Sequence, residues 1–455
     1  MRKFNSFYFE SFSFDEKTLK AIFKYSFDQD YFFEEEVDFS SDLFFYRDYL
    51  DFDIVNNFLF SLHLALWISY YKSFPTSNLY VKSWFVDSSQ VKFWQKFYKN
   101  WLWEFLYKNK IKPDNLFNFI NLSQKKYLKK DFELSEKSLI PIWWWKDSLV
   151  SISLFEKANF DFDINVFWKI DNIKQSCADI LWKDILLTKR KISPSLLELN
   201  DSWNYNWHVP ITWIIAFVMV FLWYLYDYKY LVLSNEKSAN IWNTFWMWFE
   251  INHQWSKSLD FEKDFMEYVR NNLSDKIYYF SLLRWFYELK IWEYFALNCK
   301  KYFKTFSSCN NNFHIDATKR LTWKIWCLDC PKCAFVFSIL RPYLTDIEIN
   351  DIFWEDLFYK KNLEKTFLEL LWIDWIKPFE CVWEVEEVVF SFYKSMDFYD
   401  ENSMPEILKI FKKEIFLKND ISFFKNLEKK LVTIYDEDII PEIIKNKIIK
   451  KYANE

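Results

Sequence analysis

Pro141-Ile142-Trp143-Trp144-Trp145-Lys146-Asp147-Ser148-Leu149 is the stretch whose reading decides the fold. On its N-terminal side, Ser138-Leu139-Ile140-Pro141-Ile142 is a short apolar run of strand type. On its C-terminal side, Asp147 to Lys157 reads as a helix. A strand that turns directly into a helix is the entry to a parallel sheet. Lys-Asp-Ser at the head of that helix suits an anion, because a helix N-terminus presents unpaired N–H groups and the positive end of the dipole. Ser148 can donate to a phosphate, Lys146 can neutralise its charge, and Asp147 can help hold Mg2+ or order the loop. The turn itself wants glycine, so that successive backbone N–H groups can form an anion-binding concavity. Read literally, three indoles stand there and would block a pyrophosphate.

The whole chain has the same gap. It contains 455 residues, no glycine and 26 tryptophans. Glycine is normally about 7% of a chain, so roughly thirty are missing. Many tryptophans stand where geometry asks for glycine: Trp101-Leu-Trp103, Asn206-Trp207-His208, Ile241-Trp242-Asn243 and the run at 143–145. The expectation is a stop codon reassigned to glycine and written as Trp at most of these positions, with Trp94 and Trp255 left as candidates for real tryptophan. Read with glycine at 143–145, the segment is a strand, a glycine-rich turn and a helix opening on Lys-Asp-Ser. The Walker pattern needs four residues between its glycines, and this spacing lacks it.

The length allows two or three domains. The net charge is −5 with a pI near 5.7, which gives no basic footprint for nucleic acid. Seven cysteines, three of them clustered, argue against a secreted disulfide framework and fit a reducing cytoplasm with a metal site. The first residues show no basic-then-apolar signal pattern. A cytoplasmic location is therefore expected.

Along the chain, residues 1–125 are expected to form an α+β N-terminal domain, with a polar linker over Gln124–Glu136. Residues 137–345 are expected to form an α/β domain around a parallel sheet. Its strands are expected at 138–142, Asp163–Ile170, Ile185–Ile192 and Tyr230–Leu233, with helices at 147–157 and 173–181. Val209–Tyr226 is a long apolar run that raises the question of a membrane span. A buried helix on the sheet is the preferred reading, and no membrane span is expected. Residues 346–455 are expected to be a peripheral helical segment.

Two further groups carry chemistry. Cys327-Leu-Asp-Cys330-Pro-Lys-Cys333, with Cys309 upstream, offers four thiolates to a tetrahedral ion such as Zn2+. Reduced free thiols and an iron–sulfur centre are the alternatives. Cys177, Cys299 and Cys381 stand alone and are expected in the core. The second group is polar: Asn204-Tyr-Asn-Trp-His208-Val-Pro210, Ser234-Asn235-Glu236-Lys237-Ser-Ala239 and Asn252-His253-Gln-Trp-Ser-Lys257-Ser258. Lys237 and Lys257 can bind a phosphate or carboxylate, and His208 and His253 can move protons near neutral pH. His63 and His314 are expected to be structural.

The 142–149 segment, with glycine at 143–145, resembles the PP-loop signature Ser-Gly-Gly-x-Asp-Ser with its first Ser replaced. Together with the ordered motifs at 206–210, 234–239, 252–258 and 327–337, and the Trp101–Phe105 segment, it resembles the MurL-type epimerases of UDP-N-acetylmuramoyl-L-alanyl-L-glutamate over roughly 60–340. The departure is glycine, since every family glycine that can be placed stands as Trp. The resemblance implies a PP-loop (HUP-like) parallel sheet that consumes ATP with Mg2+, releases AMP and pyrophosphate, and inverts the terminal L-glutamate of a UDP-muramoyl-dipeptide. It implies a nucleotide at Trp143, Trp144, Trp145, Lys146, Asp147 and Ser148; beside it, the residues themselves offer Asn235 and Glu236 to the nucleotide, Lys257 to the chemistry, and His253 or His208 as the candidate base. Other PP-loop enzymes stay open: a deazaguanine-nitrile synthase, an amidotransferase or a tRNA-modifying thiolase. So does a non-catalytic, membrane-associated aromatic protein.

Overall fold

The computed structural model describes residues 4–44, 47–112, 115–126, 129–142, 146–201, 205, 211–240, 244–246, 249–252, 254–312, 324–373 and 385–453. Among the described residues twelve strands are defined: β1 Ser6–Asp15, β2 Lys20–Phe27, β3 Tyr31–Asp38, β4 Asn78–Val81, β5 Asn118–Asn121, β6 Ser138–Pro141, β7 Phe162–Phe167, β8 Ile185–Lys191, β9 Tyr230–Leu233, β10 Thr244–Trp246, β11 Phe249–Ile251 and β12 Tyr278–Ser281. Strands β10 and β11 pair as a separate antiparallel ribbon. The other ten form one sheet in the order β12-β9-β6-β7-β8-β3-β2-β1-β4-β5.

Half of this sheet is parallel. β12, β9, β6, β7 and β8 run in one direction through four parallel pairings. In chain order these five strands read 3-2-1-4-5 across the sheet from β8 to β12. The chain winds outward one way from β6 through β7 to β8, then returns to place β9 on the other side of β6. The reversal puts a topological switch point between β6 and β9, where open α/β sheets hold ligands at the strand carboxyl ends. Every residue of β6 and β9 is buried, as central parallel strands require.

Alternate residues of these strands feed two cores. Ile140, Val232 and Phe280 pack with the helices Lys146–Lys157 and Glu288–Asn298 on one face. Leu139, Leu231 and Tyr279 pack with the helices Thr212–Tyr226 and Leu259–Asn272 on the other. This period of two along each strand lets one short apolar run serve both faces.

The expected strands and helices from 138 to 233 are present with small shifts at their ends. The strand expected to reach Ile170 stops at Phe167, because Trp168 turns into the left-handed region at φ 83°. The apolar run after Val209 is a helix of 15 residues, and all of them except Thr212 are buried inside the protein. That is short of the about 20 residues that cross a bilayer. Among the described residues, Phe52–Tyr71 is long and apolar enough to do so, and most of it is buried within the fold.

The other half of the sheet is β3, β2 and β1, antiparallel to one another, with β4 and β5 added in parallel beyond. Asp51 caps the helix Phe52–Leu66 by accepting from Asp53 and Ile54 N–H, and an Asp87–Gln90 capping box starts Ser88–Lys108. The two halves meet where β3 pairs antiparallel with β8, Val37 opposite Arg190. The sheet therefore runs unbroken past the polar segment at 124–136. The C-terminal segment is helical as expected, but it is not wholly peripheral. The Tyr452 hydroxyl donates to Lys290 carbonyl, its ring packs 4.6 Å from Phe286, and the Trp285 indole N–H donates to Asp438.

Candidate active site

The carboxyl ends of β6, β9 and β12 converge on one charged cluster. Lys146 opens the helix that follows β6, Asn235 and Glu236 follow β9, and Ser281, Arg284 and Glu288 follow β12. Lys146 is buried, and its ammonium donates to Glu288 Oε1 at 2.6 Å and to Asp147 Oδ1 at 2.5 Å. It also lies 4.6 Å over the Trp292 ring. The carboxylates of Asp147, Glu236 and Glu288 all lie within 4.8 Å of one another.

Three acids around one ammonium leave an excess of negative charge in a buried place. Burial alone would lower the Lys146 ammonium, but Asp147, Glu288 and Glu236 outweigh it and hold the ammonium above its usual range. Burial pushes the Glu288 carboxyl up to about 8, with Lys146 opposing and the neighbouring acids adding to the rise. Asp147 is raised as well, first by burial, with Lys146 opposing, Glu236 adding to it, and the Lys257 charge also holding it down. Glu288 Oε2 is buried and has no hydrogen-bond partner among the described residues. A buried carboxylate oxygen with nothing to accept is the signature of a position built for a cation or proton.

Arg284 braces this cluster from behind. It is buried, donates to Glu262 Oε1 at 2.6 Å, and reaches the backbone carbonyls of Glu236 at 2.7 Å and Lys257 at 2.6 Å. One planar guanidinium thus fixes the two segments that carry Glu236 and Lys257. Asn235 donates to Ser281 Oγ at 2.9 Å, and Ser281 in turn donates to Glu262. Ser148 is buried one residue beyond Asp147.

Of the residues expected from sequence, Lys146, Asp147, Ser148, Asn235, Glu236 and Lys257 therefore gather at one place. Trp143, Trp144, Trp145, His208, His253, His314 and Cys381 lie outside the described residues. Lys237 turns elsewhere: its ammonium sits 3.3 Å over the Tyr435 ring. His63 is structural as expected, boxed by Tyr25, Phe9 and Phe23 with its Nε2 3.2 Å from Lys24 carbonyl. Cys177 and Cys299 are core residues, and burial pushes their thiols up to about 11 and 12. Glu288, Arg284 and Glu262 were missed. Arg284 and Glu288 belong to Ser281-Leu-Leu-Arg284-Trp-Phe-Tyr-Glu288, and the one signal that could have found them is the four-residue strand Tyr278–Ser281 just before, whereas Glu262 lies in the first turn of the helix Leu259–Asn272.

The four expected metal-binding thiols also meet. Cys309, Cys327, Cys330 and Cys333 have their sulfurs within 4.8 Å of one another, on the same side of the sheet as the helix Glu288–Asn298.

Comparison with known proteins gives a consistent picture. Residues 1–282 match the family described as MurL N-terminal domain, and residues 305–419 match MurL C-terminal domain. A protein of Xanthomonas oryzae pv. oryzae named UDP-N-acetyl-alpha-D-muramoyl-L-alanyl-L-glutamate epimerase is 33% identical over 326 residues, 72% of this chain and 71% of that one. Proteins of the same name from a Micromonospora species and from Salinispora tropica are each 36% identical over 248 residues. That is 54% of this chain, 53% of the first and 52% of the second. No solved structure matches the chain.

Proposed function

The chain belongs to the MurL family, and from that premise we propose that it epimerises the terminal L-glutamate of UDP-N-acetylmuramoyl-L-alanyl-L-glutamate, using ATP to activate a carboxylate. The observation that carries the ATP-dependent part is the meeting of Lys146, Asp147, Glu236 and Glu288 at the switch point between β6 and β9. The 3-2-1-4-5 order and a Lys-Asp-Ser helix start after β6 support a PP-loop reading.

The chemistry explains why activation is needed. Removing the α-proton next to a free carboxylate would build a dianion. Joining AMP to that carboxylate removes the negative charge and makes the acyl group electron-withdrawing. The α-proton is then acidic enough for a side-chain base. A proton returned to the opposite face, followed by hydrolysis, gives the inverted residue and AMP.

The residues present fit the groups this needs. Asp147, Glu236 and Glu288 would hold Mg2+, and the orphaned Glu288 Oε2 is the position such an ion would satisfy. When bound, that ion would neutralise phosphate charge. Lys146 binds the nucleotide's phosphates electrostatically and keeps the acids from repelling one another. Arg284 positions the segments bearing Glu236 and Lys257. Lys257 is assigned to the substrate carboxylate, and His253 or His208 to proton transfer. His253→Ala with full epimerisation would remove that residue from the role.

The test is incubation with UDP-N-acetylmuramoyl-L-alanyl-L-glutamate, ATP and Mg2+ in D2O, followed by assay of AMP and of D-glutamate after hydrolysis. AMP together with deuterated D-glutamate is expected. AMP without inversion would redirect the reading to another adenylating enzyme with a different acceptor.

A further inference from the structure

We propose that Cys309, Cys327, Cys330 and Cys333 bind a single structural Zn2+, and that this ion fastens the C-terminal helices to the helix carrying Glu288. Neither the epimerase reading nor the nucleotide site depends on it.

The geometry is that of one tetrahedral ion. A Zn–S bond of about 2.3 Å places the sulfurs of a four-thiolate site about 3.8 Å apart. Here Cys330 and Cys333 lie at 3.5 Å, Cys327 and Cys333 at 3.7 Å, and Cys309 and Cys330 at 4.0 Å. These separations are far beyond a disulfide bond of about 2.05 Å. They are also too tight for thiolates spread over the separate irons of a cluster. Each sulfur meets several others, which pairing into disulfides cannot achieve.

The backbone is arranged for anionic sulfur. Leu328 sits in the left-handed region at φ 62°, which folds Cys327 and Cys330 into one knuckle. Cys327 N–H donates to Cys309 Sγ at 3.3 Å, and Asp329 N–H to Cys327 Sγ at 3.4 Å. Cys330 is the N-cap of the helix Pro331–Leu340, Pro331 occupies its first position, and Cys333 lies in its first turn. Two ligands therefore sit at the positive end of a dipole, which favours thiolate. All four coordination positions come from the protein, the mark of a structural rather than catalytic site.

Its place in the fold gives the ion its task. Cys309 follows the helix Glu288–Asn298 after the short turn Lys300–Tyr302, and Trp326, next to Cys327 in the chain, packs its ring 5.3 Å from Phe306 and 5.1 Å from Phe353. The helix Pro331–Leu340 packs against both Glu288–Asn298 and Val385–Ser395. The latter reaches back, its Glu387 accepting from Leu289 N–H at 3.1 Å. Four sulfurs joined to one ion lock this arrangement around the residue next to Glu288.

Metal analysis of the full-length protein, purified from zinc-containing medium under reducing conditions, is the experiment. One Zn2+ per chain is expected, released on titration of the thiols with a mercurial. Replacement by Co2+ should give the intense thiolate-to-cobalt bands of a tetrahedral four-sulfur site. Cys330→Ser with Cys333→Ser should lose the ion and lower the melting temperature, whereas Cys177→Ser should keep it. A metal-free protein with four freely titrating thiols would overturn the proposal. So would bound iron, an octahedral cobalt spectrum, or full zinc content in the double variant. The cobalt spectrum of the unaltered chain decides the matter even if the double variant fails to fold.

Discussion

Single residues carry the sharpest tests. Trp182, Trp354 and Trp372 each follow the end of a helix with φ of 54°, 61° and 58°. Lys183 N–H reaches back to Ala178 carbonyl, and Ile373 N–H to Leu368 carbonyl, the hydrogen bonds of a left-handed helix cap that glycine normally makes. Trp182 is 94% exposed, so its indole gains nothing in return. These positions are expected to be glycine in the native protein. Peptide mass spectrometry across 182, 354 and 372 checks it, and intact tryptophan there would end the idea. In a chain made with tryptophan, Trp182→Gly should raise stability by about 1 kcal/mol, the strain of one left-handed residue. At the charged cluster, Glu288→Gln keeps shape and removes the carboxyl that could ionise to meet a cation. It should lower kcat/KM by about a hundredfold or more and shift half-saturation to higher Mg2+. An unchanged Mg2+ dependence would remove Glu288 from the cation's shell. The sequence exposed Lys146, Asp147 and Glu236 because each sits in a dense polar run after an apolar strand. Glu288 was hidden because it sits between Tyr287 and Leu289, where nothing local marks it.

Elements were legible where local pattern and fold agreed. β6, β7, β8 and β9 announce themselves as short apolar runs between polar ends, and the helices between them follow. β12 does not, since Tyr-Tyr-Phe-Ser is four residues with no alternation, and only pairing with β9 makes it a strand. The helix Phe52–Leu66 shows how an element sets a residue's chemistry. It buries His63 completely, and burial pushes the imidazole down to about 3. An unfolded histidine titrates near 6.5. The folded state therefore binds fewer protons than the unfolded state between those values, and stability falls as pH drops below about 6.5. The loss should reach about 2 kcal/mol at pH 5. His63→Gln should remove that share of the pH dependence, read as the difference in melting temperature between pH 7 and pH 5. An equal slope in the variant would show that His63 is not the titrating group.

At the scale of the whole molecule, the question is why the N-terminal sheet and the parallel sheet act together. Neither composition nor motif foretold their union, because β3 and β8 are about 150 residues apart and pair through only three positions. A buried polar knot secures that seam. Arg190 Nε donates to Glu35 Oε1 at 2.5 Å and Nη2 to Ser69 Oγ at 2.9 Å, while Tyr70 hydroxyl donates to Glu35 Oε2 at 2.7 Å. Such a pair adds little net stability over apolar packing, yet removing one partner strands a buried charge. Arg190→Met should therefore destabilise the protein by about 3–5 kcal/mol, and adding Glu35→Leu should restore most of it. The seam also makes a claim about cooperativity. β8 is two strands from β6, whose end holds Lys146, so opening the seam frees an edge close to the site. In the unaltered protein, loss of secondary structure and loss of epimerase activity should coincide along a urea titration. In Arg190→Met both should shift together to lower urea. If activity survived unfolding of the N-terminal sheet, the seam would be a simple contact and the ten strands would not form one folding unit.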